Sequence, residues 1–271
     1  MPVDEVSAEV ARIVAAGFKE LRVTGVHLGS YGRDLTPPSS LVDLLHALAV
    51  GRVRLGPDPD VLFRLSSLEP MDCTPEVIDL VATFSCFAPH FHLPLQHASR
   101  RVLAAMGRPY SIDAYASLVD RIRARLPLAA IGSDVIVGFP GETDDEFEQL
   151  VEYLARSPLT HLHVFPYSAR PGTVAAAMSS RVGGPVIRER ARRVRDIARR
   201  LSTRFRASQV GAVHRGLTLD DGSLVVTGNY LKVRIPPGRA RNEWVAVTVT
   251  EAADLMTGES AQLPNARVAS R

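Results

Sequence analysis

Cysteine is nearly absent from this sequence. Its 271 residues include two, Cys73 and Cys86, both inside hydrophobic stretches. Two thiols exclude a disulfide framework and a C-x-x-C metal clip. In such surroundings a free cysteine reads as a small buried hydrophobe. No apolar run approaches the ~20 residues needed to cross a bilayer, so no membrane-spanning helix is expected. The first residues, Met1-Pro-Val-Asp-Glu5, lack the basic region and apolar core of a secretion signal, so the chain is expected to be cytoplasmic. Lysine is as scarce as cysteine, with Lys19 and Lys232 alone. No solenoid-length repeat is present.

What remains is an ordinary globular composition, with 46% hydrophobic and 23% charged residues, long enough for one large and one small domain. The net charge of +3 is mild, but its distribution is lopsided. Between Arg181 and Arg215 lie Arg188, Arg190, Arg192, Arg193, Arg195, Arg199, Arg200, Arg204 and Arg206, opposed by Glu189 and Asp196. Such a helix suits a phosphate backbone, and it equally suits a solvated helix face.

Periodicity divides the chain. Val6, Val10, Ile13 and Val14 recur at helical spacing up to Gly17, and Glu20–Thr24 then reads as a strand. Helix follows at 40–50, strand at 61–65, and a helix behind Thr74 as cap with Pro75 in its first turn. Strands at 91–95, 130–137 and 159–165 alternate with helices at 99–106, 112–126 and 144–155. This order implies parallel pairing in a barrel or doubly wound sheet. The series opens on a helix, so its first strand has no earlier strand beside it. A hinge at Ser179–Pro185 leads into the arginine-rich helix. After Gly211 the texture becomes short β segments broken by Asp220-Asp-Gly222, Pro236-Pro-Gly238 and Thr257-Gly258, as in a small antiparallel β module. The expected division is 1–178, 179–205 and 206–271.

The segment Gly132-Ser-Asp-Val-Ile-Val-Gly-Phe-Pro-Gly-Glu-Thr143 carries the most chemistry. An apolar strand enters a glycine turn and then a helix with Thr143 and Glu146 as capping box. Glycines on either side of Phe139-Pro140 would let a flat ligand lie against bare backbone. The acidic helix start argues against a phosphate there. Polar residues also mark four other strand ends, at Thr24–Gly32, Ser66–Pro70, Leu93–Ser99 and Phe165–Thr173. In a parallel barrel these ends share one mouth, where ligands bind.

His90-x-His92 and His161-x-His163 each place two imidazoles on one strand face. With Asp134 they admit a zinc-dependent barrel hydrolase as a rival reading. The expectation is no metal, with the histidines as satisfied core or helix-facing residues. In the β module, Tyr230, Lys232 and Arg234 alternate with Leu231, Val233 and Ile235. An aromatic beside two cations on an exposed strand can stack a base and neutralise phosphates.

Taken in order, Ala15–Gly32, Arg64-Leu-Ser-Ser-Leu-Glu-Pro70, His92-Leu-Pro-Leu-Gln96, Ser133–Thr143 and His163-Val-Phe-Pro-Tyr-Ser168 resemble the radical-SAM methylthiotransferases, the MiaB, RimO and MtaB group. His163–Ser168 and Asn229-Tyr-Leu-Lys-Val233 look nearest to the MtaB branch, whose members methylthiolate threonylcarbamoyl-adenosine next to the tRNA anticodon. The resemblance runs from Pro2 to about Gly258. It implies an α/β fold, a partial radical-SAM barrel here missing its first strand, followed by a small all-β, OB-like TRAM domain that grips tRNA. The implied cofactors are S-adenosyl-L-methionine and four-iron (4Fe-4S) clusters. By resemblance, Thr24 and Gly25 approach the methionine part, Ser66 and Gln96 position the cofactor, and Val137, Gly138 and Phe139 contact its adenine. Tyr230, Lys232 and Arg234 would meet the RNA.

The departure from the family pattern is large. The family's C-x-x-x-C-x-x-C run falls just before the region aligned with Pro2, and a second cluster sits in a domain ahead of it. Cys73 and Cys86 lie on other segments. The expectation is therefore a cluster-less form of a methylthiotransferase, with the missing N-terminal half as a possible partner. A non-catalytic RNA-binding relic is the second reading. The open edge at Leu21–Val26 would need a partner or cost solubility.

Overall fold

A computed structural model describes residues 1–51 and 61–263.

Helix α1 (Val3–Ala15) has Asp4 and Glu5 in its first turn and Arg12 in its last, both favourable to the helix dipole. It gives way at Gly17, whose φ of +90° suits glycine. Strand β1 (Glu20–Val23) and β2 (Leu62–Leu65) pair in parallel, with Arg22 opposite Arg64. Helices α2 (Leu41–Gly51) and α3 (Pro75–Thr83) supply buried Leu44, Leu45, Leu48, Val77 and Ile78. Thr74 stands at the expected cap of α3, but its side chain makes no capping bond, and Pro75 alone marks the start.

The second sheet is parallel, β3 (His90–His92), β4 (Ala130–Val137) and β5 (His161–Pro166) in that order. The apolar run expected at 91–95 pairs as a strand only at its start. Beyond it, Gln96 turns into the left-handed region at φ +68° and bridges Val135. Helices α4 (Arg100–Ala105), α5 (Ile112–Arg125) and α6 (Asp144–Arg156) connect these strands. The capping box of α6 is formed as read, with Thr143 and Glu146 each accepting from the other's backbone N–H. After the short α7 (Val174–Ala177) comes α8 (Gly184–Ala207), which buries Arg190, Ala191, Val194, Ile197, Leu201 and Phe205 along one stripe.

Strands β6 (Val213–Leu219), β7 (Leu224–Thr227), β8 (Lys232–Arg234), β9 (Trp244–Glu251) and β10 (Met256–Gln262) close into a five-stranded barrel, in the order β10-β8-β7-β6-β9. Val225, Val233, Val245, Val247 and Met256 fill it. Closure removes free edges, which stabilises so small a β module.

Two compact units result. One comprises Met1–Ser66, Thr74–His90 and Arg206–Arg271, and the other Ser67–Cys73 and Phe91–Phe205. The first therefore joins the opening strands to the β module, across the boundary expected at 206. Leu62 and Ala88 share one buried cluster with Leu217 and Trp244. Among the described residues no helix is long and apolar enough to cross a membrane.

Candidate functional site

In the second unit, the turn after β4 is held by a buried ion pair that the sequence did not announce. Glu142 Oε2 accepts the Gly138 N–H at 2.5 Å and the Phe139 N–H at 3.0 Å. Its Oε1 accepts from Arg190 Nη1 at 2.9 Å, and Arg190 Nη2 reaches Asp144 Oδ1 at 2.6 Å. Both partners lie in the interior, the Glu142 side chain at 0% and the Arg190 side chain at 6% exposure. Burial pushes the Glu142 carboxyl up, while Arg190 and the two N–H groups pull it down. Glu142, rather than the acidic helix start, thus occupies the N–H cradle of this turn.

The glycines of this turn meet side chains. At Gly138, with φ +78°, an added Cβ would lie 2.4 Å from Ile187 Cγ1 of α8. At Gly141, with φ +80°, the nearest group would be the Arg101 guanidinium at 3.6 Å. The bare backbone read as a ligand platform is, at Gly138, the seat of Ile187. The Val137 carbonyl accepts the Tyr167 N–H, and Val137 and Phe139 are buried.

Gln96 is different. It is a non-glycine residue at φ +68°, held there because its N–H donates to the Asp134 carbonyl and its carbonyl accepts the Ile136 N–H. Such backbone is costly and persists where its surroundings fix it, as at binding sites.

In the first unit, Ser66 donates its N–H to the Val23 carbonyl at 3.0 Å, which sets the ends of β1 and β2 side by side. Thr24 and Gly25 follow as exposed residues. Arg64 lies beneath this end. It is 1% exposed and makes 2.8 Å bonds from Nε to Glu20 Oε1 and from Nη1 to the Gly228 carbonyl. Its guanidinium sits 4.5 Å from the Tyr230 ring centre, a cation–π contact.

Tyr230 therefore differs from its expected place. It precedes β8 in a tight turn, at φ +67° with its N–H on the Thr227 carbonyl, and its ring also faces His90 at 5.4 Å between centroids. The alternation survives in burial. Leu231, Val233 and Ile235 are buried, while Tyr230, Lys232 and Arg234 are exposed. Lys232 and Arg234 alone share the strand face, and Tyr230 is half committed to Arg64. The signal missed was Arg64 itself, one charge inside the apolar run Val61-Leu-Phe-Arg-Leu65.

The expectation of core or helix-facing histidines fails at His163, which is exposed. Ser133 of β4 turns toward α5, where its hydroxyl accepts from Tyr115 at 3.1 Å. Asp134 therefore faces the other way, since side chains alternate across a strand. On that face Asp134 Oδ1 accepts from His92 Nε2 and His163 Nδ1, each at 3.0 Å. Burial raises the Asp134 carboxyl, but the two imidazoles outweigh it and hold it below the usual carboxylate range. The His163 side chain is 59% exposed.

Known proteins resemble this chain along much of its length. A profile of the radical-SAM superfamily matches residues 1–154, more than half of the chain. The chain belongs to the radical-SAM superfamily. Within the superfamily it stands among the methylthiotransferases. It is 32% identical over 231 residues to the threonylcarbamoyladenosine tRNA methylthiotransferase MtaB of Aquifex aeolicus, covering 85% of this chain and 54% of that protein. It is 37% identical over 225 residues to the ribosomal protein uS12 methylthiotransferase RimO of Saccharopolyspora erythraea, covering 83% and 45%. The chain spans about half the length of these relatives. Among solved structures, the radical-SAM coproporphyrinogen III oxidase HemN of Escherichia coli aligns with a TM-score of 0.53 at 13% identity, covering 73% of this chain and 46% of that one. That likeness supports a partial α/β barrel. The match does not favour the zinc-dependent hydrolase.

Radical-SAM chemistry rests on a four-iron cluster held by thiolates. The two cysteines here do not fit that role. Both are buried, and burial with the Asp72 charge pushes the Cys73 thiol up to about 12, far from the thiolate a cluster needs.

Proposed function

We propose that this chain is the cofactor-positioning and RNA-gripping portion of a radical-SAM methylthiotransferase acting on tRNA. The observation that carries this reading is the closed five-stranded β-barrel, with Lys232 and Arg234 exposed on one strand, following a radical-SAM half-barrel. The name of the MtaB relative supports threonylcarbamoyl-adenosine of tRNA as the substrate, while that of RimO names a ribosomal protein.

For S-adenosyl-L-methionine we assign Thr24, Gly25 and Ser66 in the first unit and Gln96, Val137, Gly138 and Phe139 in the second. When bound, the cofactor supplies the radical chemistry of the family. The polar roles fall to Thr24, Ser66 and Gln96. Val137–Phe139 contribute shape, because the Gly138 and Phe139 N–H groups and the Val137 carbonyl are already engaged. The 4Fe-4S clusters need three thiolates each, so their ligands have to come from outside these 271 residues. The buried state of Cys73 and Cys86 also supports a second reading, an RNA-binding protein without catalysis.

The RNA arm is tested by measuring tRNA affinity across a salt series. The logarithm of affinity should fall linearly with that of salt, and Lys232→Ala or Arg234→Ala should each lower the slope by about 1. Absent or salt-independent binding would remove the RNA assignment.

A further inference from the structure

We propose that His92, Asp134 and His163 form a binding site for a first-row divalent metal ion on the open face of the β3-β4-β5 sheet. His92 Nε2, Asp134 Oδ1 and His163 Nδ1 all lie within 4.8 Å of one another, and two of the three separations are 3.0 Å. Ligand atoms about 2.0–2.1 Å from a tetrahedral zinc stand roughly 3.3 Å apart, so the present spacing needs little adjustment. The three residues come from three adjacent strands, and Asp134 and His163 are register partners. Backbone hydrogen bonds of the sheet therefore fix the ligand positions before any ion arrives.

The donor set has a chemical preference. Two imidazoles and one carboxylate suit zinc, iron(II) and their neighbours, and disfavour magnesium and calcium, which take oxygen ligands. His92 and Asp134 are largely enclosed, with side chains 11% and 22% exposed, while His163 is 59% exposed. The enclosed pair gives a rigid floor. The exposed His163 ring can tilt to close the remaining gap.

A second observation shows that the sheet makes room for imidazoles here. A Cβ on Gly132 would lie 2.0 Å from His161 Nε2, so glycine at 132 is what lets that ring lie across β4. His161 then stands 6.1 Å from His92 and 5.9 Å from His163 between ring centres. Three imidazoles and a carboxylate thus line one patch, a composition that a face built only for packing does not need.

The inference does not depend on the methylthiotransferase reading, because its readout is metal binding. The purified chain is stripped with chelator and titrated with cobalt(II), then competed with zinc. One equivalent should produce the visible d–d bands of a low-symmetry site, without thiolate charge transfer, since both cysteines are buried. Asp134→Asn and His163→Ala should each weaken binding at least tenfold. Asp134→Asn keeps a hydrogen-bonding side chain of the same shape, so its fold should persist. His46→Ala, at an exposed residue of α2, should change nothing. Absence of saturable one-to-one binding would overturn the proposal, leaving Asp134 as a hydrogen-bond acceptor for its two histidines. Binding of undiminished affinity in the folded Asp134→Asn and His163→Ala proteins would overturn it as well.

Discussion

Arg190→Met will destabilise the chain by about 3–5 kcal/mol, the cost of stranding a buried charge. Glu142 is that charge. Its side chain has no exposure, and it holds the Gly138 and Phe139 N–H groups in place. Removing the guanidinium leaves the carboxylate two choices, to stay ionised in the interior or to take up a proton. Burial already pushes this group up, and the Arg190 charge is the largest influence opposing that push. The loss measured by denaturant titration should therefore shrink as pH falls from neutrality toward 5, because protonation relieves the stranded charge. Arg190→Met combined with Glu142→Gln should cost much less than Arg190→Met alone, since replacing both members of a buried pair is often near neutral. A single-variant loss below 1 kcal/mol, or a double variant as unstable as the single, would show that the turn does not rest on this pair.

Arg64→Met should cost about 3 kcal/mol, somewhat less because Glu20 keeps 25% side-chain exposure and can recover water. The more telling consequence is cooperative. Arg64 ties β2 to Glu20 of β1 on one side, and to the Gly228 carbonyl and the Tyr230 ring of the β module on the other. Losing it should loosen the β6–β10 barrel as a unit. Amides of β7 and β8 would then exchange faster in hydrogen exchange than those of β4, which belongs to the other compact unit. Uniform acceleration in both units would contradict this role for Arg64.

Much of the order of elements was legible, and the reasons are local. The α1 stripe, the α6 capping box and the apolar β4 run are decided by residues within a turn or two of one another. What the sequence concealed lies at a distance. Gly138 looked like an opening for a ligand because nothing nearby in the chain shows that Ile187 fills the space. Arg190 looked like one member of an arginine-rich face, and only its meeting with Glu142, across 48 positions, marks it as interior. The histidines were visible as pairs on their strands. Their convergence on Asp134 depends on the register of β5 against β4, which no single segment encodes. Tyr230 kept its exposed position in the alternation yet left the strand, because Gly228-Asn229 turns the chain before β8 begins.

On the proposed reading these residues position a cofactor and hold RNA, while the thiolates of the iron–sulfur chemistry lie outside them. Anaerobic reconstitution with iron and sulfide tests it most directly. The chain alone should acquire no stoichiometric four-iron cluster and cleave no S-adenosyl-L-methionine. Mixed with a polypeptide carrying the C-x-x-x-C-x-x-C segment, it should yield a cluster and cofactor cleavage that depend on both. A stable cluster on the chain alone, with its iron, sulfide and absorbance in stoichiometric amount, would contradict the claim.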